Sequence, residues 1–487
     1  MHLLGTLTEY VDGVNINEWI YSIKVEPRDQ ASLRDAFFIR REKMKLFNSY
    51  TNKMEEFVPI EEGKVSVYVC GPTVYNRPHI GNGRPIIVYD TLKKTFEALG
   101  YDVTYVSNFT DVDDKIIKKA KEEGITEAEL TKKYIDGYNE DRRSLNADIP
   151  DITPKVTETM DEIIAFIADL VDKKAAYVVE GDVYFRVNAV EQYGALSKQK
   201  IDDLMVGARI DENSLKENPL DFTLWKKTDE GINWDSPWSK GRPGWHTECV
   251  VMINKEFKSH RIDIHGGGMD LKFPHHENEI AQSEACYHTH IANYWLHNGM
   301  LNLDGVKMSK SLGNTLLIKD MVNEIGGNVL RWAFLSAHYR APLNFNDEVV
   351  NNARSELNKI MNSYKQACVK MQLAHKEFGT EKHDKLWNSF LEEMIDDLNT
   401  PNAFSVVFET VKQLNGALRV REIDYDTVSK LVTALEGMMH VLGIHIDRTI
   451  LDEESFELYQ KWNDAKAVKD FEKADSYRQK LMEKGVL

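Results

Sequence analysis

The chain has 487 residues, 42% hydrophobic and 29% charged, and 78 acidic side chains outweigh 61 basic ones to give a formal net charge of −17. That is the make-up of a water-soluble protein with a large core shared among several domains, and it holds no apolar run long enough to span a bilayer. The charge balance gives no general support for polyanion binding, although a local basic surface stays compatible with it.

Residues 1–43 carry no apolar segment with a cleavage site, and Glu9, Asp12, Glu18 and Glu26 are out of place in a transit peptide. Cys70, Cys249, Cys286 and Cys368 suit a reducing cytoplasm, where thiols serve metals or cores. A regular pattern begins at Met44, which reads as the natural start, with 1–43 an extension outside the fold. Residues 65–69 are apolar and β-branched and read as a buried strand, ended by the turn signal Cys70-Gly71-Pro72. A helix is expected over 81–99, stopped by Gly100, and a second strand over 103–106. Strand, loop, helix and strand in this order predict an α/β fold with a Rossmann-like parallel nucleotide-binding sheet. The pattern then changes. Met160, Ile163, Ile164, Ile167, Leu170 and Val171 recur at helical spacing, and 177–187 reads as a hairpin around Glu180-Gly181-Asp182. The sheet resumes near 262–264 and 294–296, and from Asp347 the chain is strongly helical. The expected divisions are the extension 1–43, a first half-domain 44–115, a connective insertion 116–240, a second half-domain 241–346, an all-α bundle 347–450 and a short terminal unit 451–487.

Four stretches carry chemistry. His79-Ile80-Gly81-Asn82 sits at a helix start, where backbone N–H groups and the helix dipole favour phosphate. His79 can donate to developing charge and Gly81 admits a nucleotide to the backbone, yet a four-residue match also arises by chance. Ile264 to Asp270 joins a strand to three glycines and a carboxylate able to accept from ribose hydroxyls; a flexible turn reads the same way. His275 and Glu279 are four apart, on one face of a helix, and with Cys70 and Cys249 they make a donor set that suits tetrahedral zinc. Alone, such a run is also an ordinary solvated helix face. Lys307-Met308-Ser309-Lys310-Ser311 can clamp a triphosphate with two point charges, or be a plain basic loop.

HIGN, GGGMD and KMSKS in this order resemble the class I aminoacyl-tRNA synthetases. The stretches YVCGPTVY (68–75), NFTDVDDK (108–115), GRPGWHTEC (241–249) and FPHHENE (273–279) narrow the resemblance to the cysteinyl-tRNA synthetase family, from about residue 44 to the C-terminus. The resemblance implies one zinc ion on Cys70, Cys249, His275 and Glu279, bound to the substrate thiolate, with His276 and Glu277 turned elsewhere on the helix in supporting roles. It implies a cysteine pocket lined by Thr110 and Trp245, with Trp245 closing over the substrate. Asp270 would bind ribose and Lys310 the ATP phosphates, assisted by Lys307; His79, Gly81 and Asn82 complete the ATP site, and Mg2+ would accompany ATP. The implied partners are ATP, L-cysteine and tRNA(Cys), with no membrane, and the implied state is a cytoplasmic monomer. Cysteine would be activated to cysteinyl-AMP, then passed to the 2′-hydroxyl of the terminal adenosine of the tRNA. Asp396 to Phe404 is similar to the family's tRNA-binding bundle, and 470–487 to its terminal unit.

Two departures stand out. Asn82 replaces the second histidine of HIGH, which excludes a protonated imidazole there. The chain stops at Leu487 without the family's tryptophan-bearing tail, so weaker charging than adenylate formation is expected. Three rival readings compete: a ligase passing activated cysteine to a small-molecule amine, a nucleotidyltransferase, and an inactive zinc-stabilised RNA-binding scaffold. The long helical C-terminal region opposes the first, the donor set and the insertion the second, and the intact motif residues the third.

Overall fold

The computed structural model describes residues 10–11, 14–15, 43–199, 215–303, 305–307 and 315–486. Met1–Lys43 and Met44–Leu487 are two separate compact units. In the first, Tyr10–Val11 pairs antiparallel with Val14–Asn15. The rest concerns the second.

Four parallel strands form its central sheet. β3 (Lys64–Val69) lies between β4 (Asp102–Ser107) and β9 (Ile262–Gly268), and β10 (Ala292–Asn298) pairs with the far side of β9. The sheet is buried on both faces, so its strands read as near-continuous apolar runs. The hairpin β1 (Lys45–Asn48) and β2 (Lys53–Glu56) precedes it.

The 19-residue helix α1 (Ile80–Ala98) crosses from β3 to β4 and is buried along most of its length. The helix thus begins and ends one residue earlier than expected, with Leu99 as its C-cap and Gly100, at φ 84°, just beyond. Tyr89 of α1 lies flat on β9. A Cβ on Gly266 would sit 2.3 Å from its ring, and its hydroxyl accepts from Gly267 N at 2.7 Å and donates to Leu296 O at 2.7 Å. The glycine run is therefore strand rather than a turn. Its bare backbone admits Tyr89 over Gly266 and His276 over Gly267.

After β4 the chain leaves the sheet through α2 (Asp114–Glu123), α3 (Glu127–Ser144) and α4 (Met160–Asp172). An antiparallel sheet follows, ordered β8–β7–β6–β5, from β5 (Ala176–Val179), β6 (Asp182–Phe185), β7 (Phe222–Lys227) and β8 (Gly241–Pro243). Gly181, at φ 98°, makes the expected hairpin turn. The apolar stripe of α4 is core, packed with Val183, Phe185 and the face of α5 (Glu248–Phe257).

Helix α6 (Glu277–Tyr287) joins β9 to β10; past β10, β11 (Leu301–Leu303) pairs with β12 (Val306–Lys307) and, in parallel, with β13 (Leu343–Phe345), with α7 (Ile318–Ile325) and α8 (Gly327–Leu335) between β12 and β13. The helical region comprises α9 (Asp347–Leu373), α10 (Asp384–Ile395), α11 (Thr400–Ala417), α12 (Tyr425–Val441), α13 (Glu453–Ala467) and α14 (Phe471–Glu483). Helices α9 to α12 share one continuous core with the sheet and α1. No described helix is long and apolar enough to cross a membrane.

Two buried charges join these layers. Arg331 of α8 donates to Asp90 of α1, to Leu442 O beyond α12 at 2.6 Å and to Leu145 O beyond α3 at 3.1 Å. Gly443 makes room for it: φ is 65°, and a Cβ would fall 2.0 Å from the guanidinium carbon. Burial acts to raise the Asp90 pKa, but Arg331 and Lys94 outweigh it and hold the carboxyl below its usual range. Asp397 accepts from Phe47 N at 2.8 Å, Tyr339 Oη at 2.7 Å and Arg340 Nε at 2.6 Å, tying β1 to the helices. We expect Arg331→Met to cost about 3 kcal/mol in denaturant unfolding, because one partner of a buried pair is removed. A loss below about 1 kcal/mol would mean that Lys94 alone satisfies Asp90.

Candidate active site

The carboxyl ends of β3 and β9 open onto one crevice, the usual place for ligands in a parallel sheet. Cys70 directly follows β3. Gly71 passes so close to Asn108 that a Cβ would meet its carbonyl at 1.6 Å, and Gly71 N donates to Asn108 Oδ1 at 2.8 Å. Cys249 lies in the first turn of α5. His275 and Glu279 come from the segment beyond β9.

Their donor atoms meet. Cys70 Sγ is 3.6 Å from Cys249 Sγ and 3.6 Å from Glu279 Oε1; Cys249 Sγ is 3.7 Å from His275 Nε2, which is 2.9 Å from Glu279 Oε1. All four atoms lie within 4.8 Å of one another. Zinc bonds of about 2.0–2.3 Å imply tetrahedral edges of roughly 3.3–3.8 Å, so these donors fit a zinc ion with small adjustments.

A second set, Cys70, His265, His276 and Glu279, overlaps the first. It has one thiol; within it His265 Nε2 meets Glu279 Oε2 at 2.7 Å, and His276 bonds outside it through Nδ1 to His297 Nε2 at 2.9 Å. The set with two thiols neutralises a dication better. His276 departs from expectation. It does not point away; its Nε2 lies 3.3 Å from Cys70 Sγ. The regular helix starts only at Glu277, and Phe273 is extended at φ −142°, ψ 135°, so His275 and His276 both turn onto the end of the sheet. Glu277 does turn elsewhere, accepting from Gly194 N at 3.0 Å and Ser197 N at 2.7 Å in the insertion.

The electrostatics follow from burial. Burial opposes a charged Glu279, but His275 and His265 outweigh it and hold the carboxyl well below its usual range. Burial likewise opposes a charged His275, and Glu279 reverses this to about 10. Burial raises the Cys70 thiol well above normal, while a hydrogen bond from Cys70 lowers Cys249 to about 6. His276 is held well below its usual value by burial, and His297 is pushed down to about 3 by the same cause. The cluster thus sets a lowered Cys249 thiol and a lowered Glu279 carboxyl against a raised His275.

The remaining candidates surround this point. Thr110 donates to Glu248 Oε2 at 2.8 Å, beside Cys249, and its backbone pairs with Thr73 in the loop after Cys70. Trp245 is 42% exposed and stacks on His275 with ring centroids 4.3 Å apart. Beside it opens a cavity of about 830 Å³ lined by Tyr193, Phe222, Trp245, His246 and Phe273. His79 caps α1, and Asn82 Oδ1 accepts from His79 N at 3.1 Å, so Asn82 helps to cap the helix. Asp270 is exposed just beyond β9. Lys307 ends β12, and Lys310 lies outside the described residues. Sequence reasoning missed His265 and His297. Only their positions, buried in neighbouring strands β9 and β10, reveal them.

Comparison with known proteins agrees with this geometry. A family model described as the tRNA synthetases class I (C) catalytic domain matches residues 56–355, and one described as the DALR domain matches 389–447. The cysteine–tRNA ligase of Halalkalibacterium halodurans is 47% identical over 451 residues, covering 91% of this chain and 97% of that one. That of an Exiguobacterium species is 47% identical over 452 residues with the same coverage. The methionyl-tRNA synthetase of Mycobacterium tuberculosis bound by methionyl-adenylate superimposes with a TM-score of 0.57 over 82% of this chain and 94% of that one; at 14% identity it speaks for the fold alone. The chain belongs to the cysteine–tRNA ligase family of class I synthetases.

Proposed function

We propose that the protein activates L-cysteine with ATP and transfers it to the terminal adenosine of tRNA(Cys), with zinc selecting the substrate by its sulfur. The observation that carries this reading is the meeting of Cys70, Cys249, His275 and Glu279 within 4.8 Å at the carboxyl edge of the parallel sheet. Zn2+ held there would bind a thiolate far more strongly than the hydroxyl of serine. An apolar pocket cannot match this, since it resolves such small differences by only about 1–3 kcal/mol.

The protein's own groups do the positioning. Thr110 and Trp245 flank the donor cluster and would hold the amino acid, with the half-exposed indole free to lie over it. The N-terminus of α1, with His79 at its cap and Gly81 behind it, offers backbone N–H groups and a dipole to the phosphates of ATP. Asp270 would accept from the ribose hydroxyls. Lys307 and Lys310 would neutralise the leaving pyrophosphate, and Mg2+ would travel with ATP. The carboxylate of cysteine attacks the α-phosphorus and pyrophosphate departs. The 2′-hydroxyl of the tRNA then attacks the acyl carbon and AMP departs. No covalent bond to the protein forms, so alignment and charge stabilisation supply the acceleration. Helices α9 to α12 and the DALR match support a tRNA as acceptor rather than a small amine.

Charging of a tRNA(Cys) transcript with labelled cysteine, and not with serine, is the expected outcome; charging by serine, or by neither, would refute the reading. Cys249→Ser should lose bound zinc and at least about a hundredfold in charging rate, more than the 10- to 100-fold typical of groups that only support the ligands. His265 orients Glu279 without being a ligand in this reading. His265→Gln, which keeps a donor, should therefore lower zinc affinity by about tenfold in chelator competition. An unchanged affinity would remove His265 from that role.

A further inference from the structure

One guanidinium ties the helix that starts at His79 to the strands that lead to Lys307. Arg84 lies on α1 and is 1% exposed. Its Nη1 donates to Gly299 O and Met300 O, both at 2.9 Å. Its Nη2 donates to Ala341 O at 2.6 Å and His338 O at 3.3 Å. All four acceptors are carbonyls. Burial without a carboxylate lowers its pKa to about 10, so it stays a cation at neutral pH.

The carbonyls come from two segments. Gly299 and Met300 immediately precede β11, and His338 and Ala341 lead into β13. These strands are parallel neighbours, and β11 turns back as β12, which ends at Lys307. The two segments are pressed together, since a Cβ on Gly299 would fall 2.4 Å from Ala341 O. The other flank of residues 308–314 is also fastened to the start of α1: Ile80 N donates to Leu316 O at 2.8 Å and Ile318 N to Pro78 O at 3.1 Å.

We propose that Arg84 is a positioning residue for ATP, setting the separation between the proposed phosphate-binding end of α1 and the end of β12 at Lys307. This rests on the reading of both elements as an ATP site. A planar fork reaches four carbonyls on two segments at once; the single ammonium of lysine keeps the charge and cannot span them. The separation should therefore be sensitive to Arg84→Lys, and also to Gly299→Ala, which keeps the arginine and wedges the segments apart. ATP, which needs both elements, should suffer. Cysteine, held by the donor cluster, which Arg84 does not touch, should not.

The test uses the full chain with Arg84→Lys, Gly299→Ala and, as a control, Arg142→Lys. Arg142 is as buried, and its guanidinium donates to Asp148 O alone among backbone carbonyls in its described hydrogen bonds. Thermal midpoints, ATP affinity by calorimetry, and the KM values for ATP and cysteine in pyrophosphate exchange are measured below every midpoint. Either Arg84→Lys or Gly299→Ala should raise the KM and Kd for ATP by about tenfold or more, with the cysteine KM moving by less than about twofold. Arg142→Lys should move the midpoint alone. If the ATP constants of both test variants stay within about twofold of wild type, or the ATP and cysteine KM values rise together, Arg84 serves only the fold. Should wild type show no cysteine-dependent exchange, the functional reading fails, and the ATP affinities still decide the role of Arg84.

Discussion

A carboxylate buried beside two thiols is costly unless positive charge joins it, and this shapes the edge of the sheet. Glu279 is fully buried between His275 and His265, and Cys249 faces Cys70 with no solvent between them. Each donor arrives on a different element. Cys70 needs β3 to end where it does, Cys249 needs α5 to start beside it, and the histidines need the chain to turn sharply after β9. The parallel pairing of β3 with β9 brings these positions together, matching Tyr68 with His265 and Val69 with Gly266.

Helix α1 gives the second organising constraint. Its first turn presents the proposed phosphate-binding end, Arg84 grips the segments before β11 and β13, Tyr89 stitches β9 to β10, and Asp90 receives Arg331 from the side that faces the helical region. One buried helix therefore touches the proposed ATP end, the sheet that carries the donor cluster and the bundle proposed to meet tRNA. The guanidinium Nη groups of Arg84, the Tyr89 hydroxyl and the Asp90 carboxylate bond to different layers, so displacement of any of these layers would leave a buried donor or acceptor without its partner.

Much of this was legible in the sequence where a local rule applies. The strands around Val67 and Tyr105, the helix stopped by Gly100, the amphipathic α4 and the hairpin at Gly181 each carry their own signal of periodicity or turn chemistry. The glycines after Ile264 were legible as glycines but not in their purpose, since the ring that occupies their space sits on a helix nearly two hundred residues earlier. His276 was expected to point elsewhere on the helix, and it meets Cys70 and His297, partners from distant strands that helical spacing does not reveal. His265, His297, Arg84 and Arg331 carry no motif. Their roles arise from long-range pairing, which spacing along the chain does not encode.

The central claim is that two protein thiolates hold a zinc ion that takes the substrate by its sulfur. X-ray absorption at the zinc edge of the purified protein tests it most directly. The account predicts zinc bound by two sulfurs and two nitrogen or oxygen donors, with a further sulfur entering when cysteine is added and none when serine is added. A shell with fewer than two sulfurs, or one unchanged by cysteine, would contradict it.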